Sequence, residues 1–328
     1  IGLERLTCFN TSGNDWLGRS MTPRVDVPRG RVQALWIGVD LPADIAPATY
    51  RGTVTITAAN APPTHIELNL TIEGNTIADR GDSEPWRHSR LRWLNSDLGR
   101  DHGVTGPYTA LEIEGTQLSL LQRTVRLEDT GLPASIVSQG NELLAAPIRF
   151  VIEGDAGVAT FTGAQGWTAE PDGEGLARWQ TEGRAGPLAV HCQGTLESDG
   201  YLRLSLTCTP DADTPLRDVR LEIPMRRQMA TYLMGMDHEG GLRPDTYTWT
   251  WPTDPRGRAY FDSFWIGDVH GGIHCELRGA DYCGPMVNLY WRLGQLQPPA
   301  TWGNNGKGGC RFDTADDTVT ITAFSGEK

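Results

Sequence analysis

No stretch of this 328-residue chain approaches the ~18 consecutive apolar residues of a membrane-crossing helix, so no membrane span is expected. Nor does any long stretch carry an apolar period of 3.6 residues, which removes helices as the main elements. Positive charge is scarce: 29 Lys and Arg stand against 41 Asp and Glu, a net charge of -12. Such a surface repels nucleic acid, and a neutral small molecule or glycan is the partner that fits it. The six cysteines (Cys8, Cys192, Cys208, Cys275, Cys283 and Cys310) form no CxxC pair. A zinc site of that kind therefore has no support, and neither a metal nor another cofactor is expected. Cys192 with Cys208, and Cys275 with Cys283, are close enough in sequence to bridge neighbouring strands of an exported protein; free buried thiols are the alternative. GNNGKGG around Lys307 lacks the GxxxxGK[ST] order of a phosphate loop and reads as a tight glycine turn. With Ile1 where translation places Met, and no signal peptide, the chain is expected to be a processed or excised piece.

What the chain does have is turns and alternation. Its 39 Gly and 21 Pro punctuate short runs of β-branched and apolar residues. RVQALWIGVDL (31–41) predicts a strand around Trp36, while TVTITA (53–58) and HIELNLTI (65–72) predict a hairpin about an Asn60–Pro63 turn. Unpartnered among strand residues, His65 is assigned a structural role. From Thr109 onward strand signals recur about every ten residues: 109–125, two short strands in LEDTGLPASIVSQ, then 147–152, 157–161, 187–195, 201–207 and 218–223. The fold class expected is all-β. A small immunoglobulin-like β-sandwich occupies 1–75, and a large antiparallel β-sandwich, supersandwich-like, occupies 108–328.

Residues 76–107 join them with a composition unlike either. Trp86, Trp93, Arg87, Arg90, Arg92 and Arg100 are interleaved with Asp79, Asp82, Asp97 and Asp101. Flexible linkers are rich in Gly and Ser. Guanidinium, carboxylate and indole in one short span suit a rigid inter-domain seam instead, where Arg pairs bidentately or stacks; a sugar-binding surface is the alternative.

The second concentration of chemistry lies beyond Met225. Trp249, Trp251, Tyr260, Trp265, Trp291 and Trp302 accompany His270 and Asn304, a set suited to stacking on sugar rings and fixing their hydroxyls. Asp262 and Asp268, six apart, would face one side of an extended strand and form a candidate carboxylate pair, provided that Gly267 does not break the register. Asp237, His238, Glu239, His270 and His274 carry the residue types of a metal site, yet HxxxH is a helical zinc spacing and this segment reads as strand. His238 with Glu239 or Asp262 could also imitate the acid and base of a sugar mutarotase.

PWRHSRLRWLNSDLG, PYTALEIEG, LLQRTVRLEDTGLPASI, FDSFWIGDVHGGIHCELRG and ATWGNNGKGG together resemble the non-catalytic portion of large bacterial proteins similar to glycoside hydrolase family 123. The resemblance implies β-domains that precede a catalytic (β/α)-barrel bearing an Asp-Glu pair, in a secreted or periplasmic protein. With the β pattern persisting to VTITAFSG, no barrel is expected here and no catalytic residue is transferred. Two readings result. One is an accessory segment, carbohydrate-binding or scaffolding, whose partner is a glycan or the missing catalytic barrel. The other is an independent sugar-active enzyme using Asp262, Asp268 or His238.

If the seam is rigid, Arg92→Ala or Trp93→Ala loosens both domains together. Two separate calorimetric transitions in the unaltered chain would contradict this.

Overall fold

Period-two alternation makes a strand with one dry face and one wet face, and antiparallel pairing then aligns the dry faces. The computed structural model describes residues 1–9, 25–77, 102–253, 263–279 and 299–328. It is nearly all-β, with antiparallel sheets throughout. The chain divides into two compact units, Ile1–Arg100 and Asp101–Lys328. Apart from residues 76–77 and 102–107, the expected seam lies outside the described residues.

In the first unit β1 (Leu6–Cys8) pairs with β2 (Ile37–Val39), and β3 (Ala48–Ala58) pairs with β4 (Ala61–Ile72). The hairpin turns at Ala59–Asn60, and its strands are longer than their apolar runs because pairing carries on through Tyr50↔Leu70 and Ala48↔Ile72. By contrast, the strand expected over 31–41 contracts to β2. His65 lies opposite Thr55 and shares a 3.1 Å hydrogen bond with its hydroxyl, a cross-strand contact.

The second unit begins with a five-stranded meander: β5 (Glu112–Glu114), β6 (Gln117–Leu120), β7 (Arg123–Leu127), β8 (Pro133–Ser138) and β9 (Asn141–Glu142). The single run expected over 109–125 is broken at Gly115 and Gln122, both at positive φ. Next come β10 (Arg149–Gly154), β11 (Gly157–Thr160), β12 (Thr162–Gly163), β13 (Glu170–Pro171), β14 (Leu176–Ala185), β15 (Leu188–Glu197), β16 (Leu202–Pro210) and β17 (Leu216–Arg226). The remaining strands are β18 (Tyr232–Gly235), β19 (Thr246–Thr250), β20 (Ser263–Gly267), β21 (Gly272–Glu276), β22 (Gly309–Ala315) and β23 (Thr318–Phe324).

A six-stranded sheet in the order β11-β10-β17-β23-β22-β19 turns Phe150, Ile152, Ile223, Trp249, Phe312 and Ile321 inward. That face joins one continuous core with residues of the sheet β12-β14-β15-β16 and of the three-stranded sheet β18-β20-β21. A second, smaller core lies under the meander, where Leu118, Leu120, Val125 and Leu127 meet Ala177, Trp179 and Leu196. β14 escaped the sequence reading because its inner face mixes Ala177 and Thr181 with Trp179, while Arg178, Glu182 and Arg184 face out. Small and polar residues on a dry face blunt the alternation.

Trp179 sets the geometry of that core. It lies opposite Gly194, and its Nε1–H donates to the Gly131 carbonyl at 2.9 Å. A Cβ on Gly194 would come within 2.1 Å of indole Cε2, so the ring occupies the space a side chain would need. Gly194→Ala therefore overpacks the site and should cost ~1–3 kcal/mol, read as a lower urea midpoint with unchanged slope.

Candidate functional site

Outward strand positions are expected to be polar, and most of this unit obeys. β14 presents Arg178, Gln180, Glu182 and Arg184, and β17 presents Arg220, whose guanidinium donates to Glu222 at 2.9 Å and Glu153 at 3.1 Å. The sheet β18-β20-β21 departs from the rule. Its inner face carries Leu233, Phe264 and Ile266 in the main core, with Ile273 and Cys275 partly buried against it. Its outer face carries Tyr232 and Met234, then Trp265, then His274, in the cross-strand row Met234↔Trp265↔His274.

Two glycines shape this face. Gly267 and Gly272 are paired, and a Cβ on either would approach the Trp265 ring, at 2.7 Å from Cζ2 and 2.9 Å from Cε2 respectively. The indole thus lies down over bare backbone, a packing that any larger residue at those positions would prevent. Around it the apolar surface continues with Met234, 56% exposed, and with Leu242, 73% exposed, which is bridged to Tyr232.

The same face becomes polar at its β21 end. Glu276 accepts from Arg278 Nε at 3.0 Å and from its Nη2 at 2.5 Å, and Arg278 Nη1 donates to the Tyr201 hydroxyl at 2.6 Å. The guanidinium also sits 5.7 Å from the centre of the Tyr201 ring, tying the β15–β16 turn to the end of β21. An aromatic plate bordered by an imidazole, a carboxylate, a guanidinium and a phenol offers a flat apolar surface beside several hydrogen-bonding groups. Sequence reasoning found Trp265 but missed Tyr201, Glu276 and Arg278. The period-two run His274-x-Glu276-x-Arg278 was the available signal for the last two; Tyr201 is distant in sequence and only folding brings it near.

The other expected site residues fall in several places. Trp249 and Trp251 pack edge to face, with ring centres 4.8 Å apart, inside the main core. This corrects the expectation of a glycan face for those two, since neither ring is open to solvent. Trp302, in α1 (Ala300–Gly303), is half-buried against the same core. Asn304 sits at positive φ and donates its amide N–H groups to the Ser325 and Glu327 carbonyls, both at 2.8 Å. Its side chain pins the chain's last residues, which accounts for it structurally. Tyr260, Asp262 and Trp291 lie outside the described residues.

Asp268 closes the β20–β21 turn. Its carboxylate accepts the amides of His270 at 2.8 Å and Gly271 at 3.1 Å, as an Asx turn does, and His270 belongs to that turn. His238 closes a two-residue turn, where Met236 and Asp237 both have positive φ and Gly235 and His238 exchange backbone hydrogen bonds. Three contacts hold this strained pair. Met236 is fully buried, the Tyr247 hydroxyl donates to the Met236 carbonyl at 2.6 Å, and Trp249 Nε1 donates to the Asp237 carboxylate at 3.1 Å. Burial first, then the charges of Asp237 and Cys310, pushes the Tyr247 hydroxyl above its ordinary pKa, in keeping with its role as donor. His238 Nδ1 accepts the Gly240 amide at 3.2 Å and its ring meets the edge of Tyr247. Among the described residues no group of three or more His, Cys, Asp and Glu is gathered as a metal would require.

The cysteines also have definite places. Cys192 lies opposite Leu206 and Cys208 opposite Val190, a diagonal offset that leaves both as thiols instead of the bridge weighed from their spacing. Cys275 is a thiol as well, and Cys283 lies outside the described residues.

If Asn304 is a structural pin, Asn304→Ala removes two donors from backbone carbonyls. Stability should fall by roughly 1–3 kcal/mol, measured by urea unfolding, with any ligand affinity of the Trp265 face unchanged.

Against known proteins, no curated protein matches the chain. The family model described as glycoside hydrolase 123, third domain, matches residues 111–328. That span takes in both cores of the larger unit and the whole Trp265 face, and the chain accordingly belongs to the glycoside hydrolase 123 family.

Proposed function

We propose that the chain is a non-catalytic, carbohydrate-binding segment of an exported glycoside hydrolase, secreted or periplasmic, and that the outer face of β18-β20-β21 is where the sugar lies. The observation that carries this reading is the half-buried indole of Trp265 laid over Gly267 and Gly272 on the outer face of the sheet, beside the exposed Met234. A pyranose ring stacks its CH groups on such a plate, while His274, Glu276, Arg278 and Tyr201 stand at the border to take its hydroxyls. The net charge of -12 suits a neutral glycan better than an acidic one.

Hydrolysis by a pair of carboxylates needs two of them flanking one bond, about 5–9.5 Å apart. Of the outward residues of these three strands, Glu276 is the one carboxylate, and Arg278 engages it. Asp268 is occupied by turn amides. Both features favour binding over turnover at this face.

A glycan array that includes N-acetylated hexosaminides, followed by calorimetry on the best ligand, tests the reading. Trp265→Ala should weaken binding about tenfold or more, equivalent to ~1.4 kcal/mol, with Trp302→Ala close to the parent. Release of reducing sugar by the unaltered chain would overturn the non-catalytic assignment, and equal affinity of parent and Trp265→Ala would remove the plate.

A further inference from the structure

The underside of the same sheet carries a second piece of chemistry. Cys275 lies opposite Phe264 in the β20–β21 pair, so the two side chains share the inner face. Phe264 meets Phe312 of the six-stranded sheet edge to face, with ring centres 5.1 Å apart. Cys310 is two residues before Phe312 on β22 and shares its inward face, flanked by Trp249 on β19 and Ala323 on β23. The phenylalanine contact thus locks together the two sheets that bear the two sulfurs; Phe264, Phe312 and Cys310 are buried in one core, and Cys275 packs partly buried against it.

We propose that Cys275 and Cys310 are a disulfide-forming pair, which closes between the two sheets when the chain folds in contact with a small-molecule disulfide. Both are thiols in this structure. One Sγ, as thiolate, attacks the reagent and releases one reagent thiol, leaving a mixed disulfide. The second Sγ, as thiolate, attacks the protein sulfur of that mixed disulfide and releases the second reagent thiol. Two protein thiols are oxidised, one reagent disulfide is reduced to two thiols, and the two cysteine protons pass to the released thiolates.

The folded environment limits when this can happen. Burial pushes the Cys275 thiol up to about 12, with Glu276 adding to it, and burial together with the nearby Cys275 holds Cys310 well above the ordinary thiol range. Attack needs a thiolate, so closure belongs to folding, before the sheets seal, and a chain folded under reducing conditions keeps the dithiol. Trp265 is on the strand next to Cys275, and the bridge would tie the sheet carrying that plate to the sheet beneath it.

The test folds the reduced full chain from denaturant in a mixture of oxidised and reduced glutathione. The folded monomer is then alkylated in denaturant and mapped by mass spectrometry without reduction. A peptide joining Cys275 to Cys310, two hydrogens lighter than the sum of its parts, is expected. The thermal midpoint should lie roughly 5–10 °C above that of the reduced fold. The Cys275→Ala and Cys310→Ala variants should lose this redox-dependent shift equally. Alkylation of both sulfurs in the folded monomer, or linkage of either to Cys283 or another cysteine, would overturn the pair. Glycan affinity is measured separately, so loss of sugar binding at Trp265 leaves this result untouched.

Discussion

Most strands of the larger unit keep one face dry and the other wetter, and this constraint governs where its chemistry can sit. The six-stranded sheet meets it by turning Phe150, Ile223, Phe312 and Ile321 into the core and placing the part-buried, mutually paired Arg220 cluster on its other face. Against that background Trp265, half-buried, and Met234, exposed, stand out as apolar side chains on the outer face of their sheet. Gly267 and Gly272 lie beneath the Trp265 ring, with Met234 and His274 beside it in the cross-strand row.

Among the described residues an indole lies over glycine on two different sheets, with different outcomes. Trp179 covers Gly194 where the meander closes over it, and the contact becomes part of the core. Trp265 covers Gly267 and Gly272 on the outer face of its sheet, where the ring stays half-buried and part of the contact remains a surface. The local device is the same, and the layer above decides between packing and presentation.

The neighbourhood of His238 shows how strain is held without an evident catalytic role. Consecutive residues at positive φ are costly for Met and Asp, and glycine or asparagine is the usual occupant of such positions. Here burial of Met236, the Tyr247 hydroxyl and the Trp249 indole supply the compensation from three directions. The aromatic-rich stretch after Met225 thus divides its labour. Trp249 and Tyr247 fix a turn, Trp251 fills the core, and Trp265 faces out.

Alternation by itself determined the all-β class, the hairpin of β3 and β4, and the string of antiparallel strands beyond residue 109, because a period of two is written locally in residue order. β14 was hidden by the Ala and Thr of its dry face, and the strand around Trp36 contracted because pairing, more than composition, ends a strand. Within the candidate site, Trp265 was legible as an aromatic, but its exposure was not. Which tryptophan is covered depends on whether another layer lies over that face, and no local pattern records it. Tertiary structure alone decided that Trp249 and Trp251 face inward while Trp265 faces outward. It also brought Tyr201 to Arg278 across 77 residues and set Cys275 beneath the plate on the strand next to Trp265. Those meetings arise from the stacking of separate sheets, and stacking is a property of the whole core.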